Sequence, residues 1–341
     1  MTNMMKRWQI SAAGRQTLEL ADVPVPVAGP GEVLVRVKAV SLNYRDRLFL
    51  ENQGYAQFAL PFTPASDLAG EVQGVGPGVT RFKAGDRVIN NFTAGWIDGP
   101  PPRVNGVNQS FGGPLPGVLA EYVALPAEWL VAAPATLDDA EASTLPCAAL
   151  TAWTSLVELG GLRPGETVLV QGTGGVSLFA LQFAAAMGAE VIVTSSGEEK
   201  LERAKALGAT HGINRETTPD WAEAVLGITS GRGADHILEM VGGTNLGRSM
   251  AAIAPSGRIS LIGVIGGFES SLPSFPAFQA QATVQAIFVG NRRGLENMVR
   301  AVDRIGLKPV IDTQFAFADL PDGLDRLERG PFGKIVIRVS K

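Results

Sequence analysis

The sequence predicts an α/β protein of two parts, a doubly wound parallel sheet preceded by a β-rich segment. Three observations carry that prediction. From residue 167 onward, apolar runs of strand length alternate with helical stretches, the pattern of a parallel sheet covered on both faces. The stretch "VLVQGTGGVSLFALQFAAAMGAEVIVTSS" (168–196) reads as strand, glycine turn, helix, strand. Before residue 132, short Val-rich runs broken by Gly and Pro suggest strands joined by tight turns.

Taken in order, residues 32–43 alternate apolar and polar side chains, as a half-buried strand does. Residues 68–89 continue with Val-rich strands, 91–117 form a Gly/Pro-rich loop, and 118–131 return to strand character. The period then changes: "DDAEASTLPCAALTAWTSLVEL" (138–159) is helical, with Pro146 interrupting it. Strands follow at 167–171, 190–195, 211–214, 236–240, 258–263 and 283–290, interleaved with helices at 175–187, 198–207, 220–229 and 246–252. A further helix covers 291–306, and 333–339 is a closing strand.

The 341 residues are 45% hydrophobic and 18% charged, enough apolar material for two ordinary cores. A net charge of −4 without long single-sign runs argues against nucleic-acid or anionic-membrane partners. The first twenty or so residues have no apolar core of signal-peptide length, and no stretch is long enough to span a bilayer, so a cytoplasmic protein is expected. Cys147 is the only cysteine, and His211 and His236 are the only histidines. That inventory does not supply a familiar zinc ligand set, so no metal is expected, and Cys147 reads as a small buried apolar residue.

Gly172, Gly174 and Ser177 occupy the spaced positions of a G-x-G-x-x-G turn, with the last one substituted. The first glycine permits the turn, the second lets a pyrophosphate approach the backbone, and the third position packs helix on strand. The helix that follows begins with unpaired N–H groups suited to phosphate. Because the turn sits between a strand and a helix, it points to a dinucleotide. An acid ending the second strand would select NAD through the ribose 2′-OH; Ser195 and Ser196 stand there instead. Glu199 is explained as the capping-box partner of Ser196. Lys200 and Arg215 are cations suited to a 2′-phosphate, so NADP(H) is favoured over NAD(H).

The chain resembles the medium-chain dehydrogenase/reductase superfamily, and within it the zinc-independent branch that includes quinone oxidoreductases. The resemblance rests on "GPGEVLVRVKAVSLNYRD", "PASDLAGEVQGVG", "FKAGDRV", "TLPCAALTAW", "LRPGETVLVQGTGGVSLFALQFA", "GRISLIG" and "GKIVI" taken together. It implies a GroES-like catalytic domain at 1–131, completed by 291–341, and a Rossmann domain at 132–290, with the active site in the cleft between them. It also implies a homodimer paired through the last Rossmann strand, 283–289. Zinc-dependent members carry Cys in the stretch matching "SLNYRD" and Gly-His-Glu where this chain has Ala65, Ser66 and Asp67; they also carry a four-cysteine lobe, here the cysteine-free Gly/Pro loop. By matched position, the cofactor contacts implied are Thr151, Gly172, Thr173, Gly174, Gly175, Val176, Ser195, Ser196, Lys200, Arg215, Val241, Gly263, Val264, Phe288 and Gly290. Phe332 and Lys334 are implied to close over the adenosine or pyrophosphate.

Without a metal, an alkoxide formed by hydride addition lacks its Lewis acid. None of Tyr44, Tyr55 and Tyr122 has a lysine four residues on, so the common Tyr–Lys alternative is not visible either. A quinone or an α,β-unsaturated carbonyl spreads the charge, and a few hydrogen-bond donors then suffice. The candidates are Asn43, Tyr44 and Asp67 as catalytic groups and Arg45, Tyr55 and Trp96 as substrate contacts, with Asp67 orienting Asn43 or Arg45. Two other readings stay open: an alcohol or aldehyde oxidoreductase with a metal-free proton relay, and a non-catalytic NADPH-binding sensor.

Overall fold

The computed structural model describes residues 3–51 and 58–340. Two compact units emerge, one of Met1–Leu150 with Val289–Lys341 and one of Thr151–Phe288.

The first unit starts with an antiparallel pair, β1 (Met4–Ile10) and β2 (Leu18–Pro24), then β3 (Glu32–Leu42), α1 (Tyr44–Leu50), β4 (Asp67–Val75) and β5 (Arg87–Asn90). A small hairpin, β6 (Arg103–Val104) and β7 (Val107–Asn108), lies in the Gly/Pro loop, and β8 (Tyr122–Pro126), β9 (Leu130–Ala132) and α2 (Asp139–Ala142) follow. Alternation in β3 does what the pattern predicts: Val33, Val35 and Val37 are fully buried.

The chain next runs through two π turns, Leu145–Ala149 and Thr154–Glu158, on either side of the short helix α3 (Leu150–Trp153). The second unit then alternates β10 (Thr167–Gln171), α4 (Gly175–Ala186), β11 (Glu190–Ser195), α5 (Glu198–Ala206), β12 (His211–Asn214), α6 (Trp221–Ile228), β13 (Ala234–Glu239), α7 (Asn245–Ala251), β14 (Ile253–Leu261), α8 (Ser274–Ala280) and β15 (Thr283–Ala286). Its sheet is parallel throughout, in the order β12-β11-β10-β13-β14-β15. β15 ends four residues before the expected limit. The next turn contains Val289 at φ +57, a conformation that a β-branched residue rarely adopts and that cannot continue a strand. The expected Ser196–Glu199 capping box does not form, because Gly197 is the N-cap of α5.

The tail returns to the first unit as α9 (Arg292–Ile305), β16 (Ile311–Ala316), α10 (Leu320–Glu328) and β17 (Lys334–Arg338). The larger sheet there runs β16-β17-β3-β4-β5-β9, with β8 also paired to β3. Its core holds Val33, Val35, Phe62, Leu68, Ile335 and Ile337. The unit boundary falls at 150/151 and 288/289, not at the 131/132 and 290/291 expected from the sequence. The reason is apolar: Ala140 on α2 packs with Ala39 of β3 and Val336 of β17, so residues 132–150 belong to the first core. No helix among the described residues is long and apolar enough to cross a membrane.

Candidate functional site

In the second unit the glycine turn follows β10 directly. Gly172 has φ +78, where a side chain is strained. Gly174 caps α4 in an extended conformation, and a Cβ placed there would meet no atom within 4 Å. That missing side chain leaves room over the N-terminus of α4, where Gly175 and Val176 begin the helix with unpaired N–H groups. Thr173 is buried, and the Ser177 hydroxyl donates at 2.8 Å to the Gln171 carbonyl, tying the first helical turn to the end of the strand. Strand order reverses between β10 and β13, the place where open α/β sheets bind ligands.

Glu239, at the end of β13, escaped the sequence reading. Its carboxylate is fully buried and accepts the N–H groups of Val241 and Gly242, both at 2.9 Å, the Asn245 amide at 2.9 and 3.0 Å, the Gln171 amide at 3.2 Å and the Ser249 hydroxyl. A buried charge with donors on all sides fixes the backbone at the edge of the crevice, Val241 included. The only sequence signal was an acid closing the apolar run "HILE". Gly263 is required beside it, since a Cβ there would lie 1.7 Å from the Met240 carbonyl; Val264 follows, half-buried.

β11 ends in buried Ser195, followed by exposed Ser196, with no carboxylate at the strand end. The Arg215 N–H donates to the Ser195 carbonyl at 2.9 Å, and its side chain, 48% exposed, stands 3.7 Å from Glu216. Arg215 lines a pocket of about 110 Å³ with Gly172, Thr194, Trp221, Val241 and Asn245. Lys200 is half-buried on α5, Thr151 is buried in α3, and Phe288 is 43% exposed beyond β15.

In the first unit, strand register builds a second polar cluster. Ser41 of β3 faces Asp67 of β4, and Leu42 faces Ile335 of β17, so Asn43, Asp67 and Lys334 meet at one end of the sheet. Lys334 is buried and donates from Nζ to the Leu42 carbonyl at 2.7 Å and to Asn43 Oδ1 at 2.6 Å. Asn43 Nδ2 donates to Ser66 Oγ at 3.2 Å and also bonds Asp67. The Ser66 hydroxyl donates to Asp67 Oδ1 at 2.7 Å, and the Cys147 N–H to Asp67 Oδ2 at 3.1 Å. Burial pushes the Asp67 carboxyl above its ordinary value, and the nearby Lys334 charge pulls it back. Burial likewise pushes the Cys147 thiol up, helped by the Asp67 charge.

Several of the expected site residues have protein partners of their own. Lys334, expected to close over the adenosine or pyrophosphate, is the buried cation of the Asn43–Asp67 cluster. Phe332 is buried and its N–H donates to Asp312 at 3.0 Å. Gly290 is buried in the first unit. Asn43 spends its amide at both ends on protein partners, accepting from Lys334 and donating to Ser66 and Asp67. Arg45 is committed too: it donates to Phe111 O and Gly113 O at 2.8 Å and to Ser110 Oγ at 3.1 Å, with its guanidinium over the Phe49 and Phe92 rings. It ties α1 to the Gly/Pro loop. The Trp96 indole donates to Gly99 O at 2.8 Å within that loop. Tyr44, the first residue of α1, is 43% exposed. Tyr55 lies outside the described residues.

Residues 29–135 match the model of the alcohol dehydrogenase GroES-like domain, and residues 175–304 match that of zinc-binding dehydrogenases. A zinc-type alcohol dehydrogenase-like protein of Schizosaccharomyces pombe is 41% identical over 97% of each chain. The chain belongs to the medium-chain dehydrogenase/reductase superfamily. It is an oxidoreductase of that superfamily, whose members bind a nicotinamide cofactor. Human quinone oxidoreductase is 26% identical over 95% of this chain and 94% of its own. A crystal structure named as an alcohol dehydrogenase, from Sinorhizobium meliloti 1021, shares 56% identity with a TM-score of 0.95, covering 99% of this chain and all of the other.

The residues present fit a nicotinamide dinucleotide: the open space at Gly174, the helix start behind it and the braced crevice at Glu239 together make a pyrophosphate cradle. They do not fit zinc. Among the described residues no group of three His, Cys, Asp or Glu side chains could hold a metal ion. The would-be ligand positions hold an amide, a hydroxyl and a carboxylate that already saturate one another and Lys334.

Proposed function

We propose that this chain is a metal-free, NADPH-dependent reductase of quinones or α,β-unsaturated carbonyls. The observation that carries the reading is the closed Lys334–Asn43–Ser66–Asp67 network, which leaves no Lewis acid for a simple alkoxide. A bound reduced nicotinamide supplies a hydride. The side chains then need to meet charge that the acceptor itself has delocalised, which hydrogen-bond donors and water can do. With Asn43, Arg45 and Trp96 held by the protein, Tyr44 is the candidate left among the described residues to donate to the acceptor oxygen. On the nucleotide side, Gly172–Val176 hold the pyrophosphate, and Ser195, Lys200 and Arg215 surround a 2′-phosphate. The acid-free end of β11 and the exposed Arg215 support NADPH over NADH. The test is a panel of quinones, enones and aldehydes with NADPH, followed by absorbance, on the wild type and on Tyr44→Phe. Turnover restricted to conjugated acceptors, with kcat reduced in Tyr44→Phe and NADPH binding unchanged, is expected; aldehyde turnover at the same rate would sink it.

An alcohol or aldehyde oxidoreductase is the second reading, favoured by the names of several relatives; one of them, 36% identical over 98% of this chain, is called an NAD-dependent alcohol dehydrogenase.

We also propose that the protein pairs with a second copy through the edge strand β15. Ile265, Phe268, Phe275 and Phe278 are 62–75% exposed in the segments leading to that strand. Three phenyl groups so exposed leave on the order of 400 Å² of apolar surface, about half of one face of a standard interface. The unpaired strand edge supplies further area and a row of backbone hydrogen-bonding groups.

A further inference from the structure

The capping of α1 is unusual in being buried. Asp46 Oδ2 accepts the Asn43 N–H at 2.7 Å, and the Asp46 N–H turns back to the Asn43 carbonyl at 3.0 Å. The capping box of α2, between Asp138 and Glu141, is by contrast exposed. Here Asp46 is 1% exposed, and its other oxygen, Oδ1, is buried with no hydrogen-bond partner among the described residues. The charged groups around it are Arg45 on its own helix, Asp67 on β4 and Lys334 on β17, with the Cys147 thiol on the adjoining π turn. Arg45 is already held by the Gly/Pro loop, and Lys334 by Leu42 and Asn43. Nothing in the cluster therefore satisfies Oδ1, and two carboxylates share one fully buried cation.

We propose that Asp46 is a positioning residue for the reaction: its ionised carboxylate holds the Asn43 N–H, fixes the first turn of α1 and so places the Tyr44 hydroxyl, and its protonation loosens that turn. The inference rests on the reading of Tyr44 as the donor. Tyr44 lies between the two capping partners, so its backbone cannot move without breaking the 2.7 Å bond. A charged acceptor makes a bond about twice as strong as a neutral one, so the proton on Asp46 changes the grip on that turn. Burial pushes the carboxyl up to about 6, against the pull of Arg45 and of the Asn43 N–H, which puts the change within reach of ordinary buffers.

The experiment uses the whole protein with NADPH and a quinone, measuring kcat, KM and cofactor affinity between about pH 5 and 8. The wild type is expected to lose kcat on the acid side with NADPH affinity unchanged. Asp46→Asn, which keeps an acceptor for the Asn43 N–H, should flatten that acid limb and lower kcat about fivefold, the scale of a weakened cap. In a Tyr44→Phe background Asp46→Asn should have no further effect. An acid limb that survives in folded Asp46→Asn, or additive effects of the two substitutions, overturns the proposal. Should Asp46→Asn fail to fold, carboxyl and ring NMR signals of the wild type decide: the Tyr44 ring must shift with the Asp46 titration, and a ring signal indifferent to it refutes the coupling. Tyr44→Phe alone turning over at the wild-type rate would instead remove the donor assignment, a separate result from the Asp46–Tyr44 NMR coupling.

Discussion

Replacing Lys334 by Met asks whether the cluster at Asn43 is a built-in substitute for an ion or a nucleotide contact. Lys334 is 4% exposed, and its ammonium donates at 2.7 and 2.6 Å to Leu42 O and Asn43 Oδ1. Met keeps the apolar stem but leaves both acceptors bare and Asp67 without its nearest cation. Removing one partner of a buried ion pair costs about 3–5 kcal/mol, a large part of the roughly 5–15 kcal/mol by which domains are stable. The loss should depend on pH with a definite sign. Asp67 in the folded protein already sits above the ordinary 3.8, with Lys334 holding it down, so the variant raises it further. Below about 3.8 both folded and unfolded chains carry the proton and the Asp67 part of the deficit vanishes. Once pH rises past the raised wild-type value, Asp67 ionises beside Lys334 in the wild type while the variant's carboxyl, lacking that cation, resists, and the deficit widens. Urea titrations at acid and neutral pH, with NADPH affinity read by cofactor fluorescence, are the assay. The expected result is a lowered urea midpoint, worse at neutral pH than in acid, and an unchanged NADPH affinity. A stability loss under about 1 kcal/mol that ignores pH, together with a tenfold weaker cofactor, would refute the reasoning.

Gly174→Val fills the space over α4 without meeting protein atoms, so stability should fall by at most about 1 kcal/mol, the scale of an altered N-cap, while NADPH affinity drops at least about tenfold; unaltered affinity in a binding titration contradicts the cradle. Arg215→Ala should weaken NADPH about tenfold and leave NADH nearly unchanged, as loss of a charge-assisted contact implies, and an unchanged NADPH-to-NADH ratio in steady-state kinetics counts against the 2′-phosphate site. Phe275→Asp with Phe278→Asp alters side chains that are 70% and 75% exposed, so the fold should persist while sedimentation shows a monomer; a dimer that survives places the interface elsewhere.

What the sequence made legible was whatever local chemistry decides. The strands at 167–171, 190–195 and 211–214 coincide with β10, β11 and β12, because continuous apolar runs bounded by glycine and polar residues leave little choice. The glycine turn was equally readable, as Gly172 and Gly174 have backbone and space requirements that their identity announces. Helices α1, α8 and α10 were not seen: α1 and α8 span seven residues each, and α10 holds one narrow buried stripe of Leu320, Gly323 and Leu324. The first cluster lay beyond sequence reasoning for a different reason. Asn43, Asp67 and Lys334 are brought together by antiparallel register of β3 with β4 and with β17, the last of which puts Lys334 291 residues from Asn43 in the chain. The sequence offers Asn43 as a catalytic group and Arg45 as a substrate contact; that loop carbonyls and a buried lysine hold them follows from tertiary packing.

The most direct measurement is NADPH oxidation by a quinone after exhaustive dialysis against a chelator, with the metal content of the same sample determined. Undiminished turnover in metal-free protein is the predicted result. Activity that disappears with the metal and returns on adding Zn²⁺ would contradict the account, because it would require an ion where Lys334, Asn43, Ser66 and Asp67 already satisfy one another.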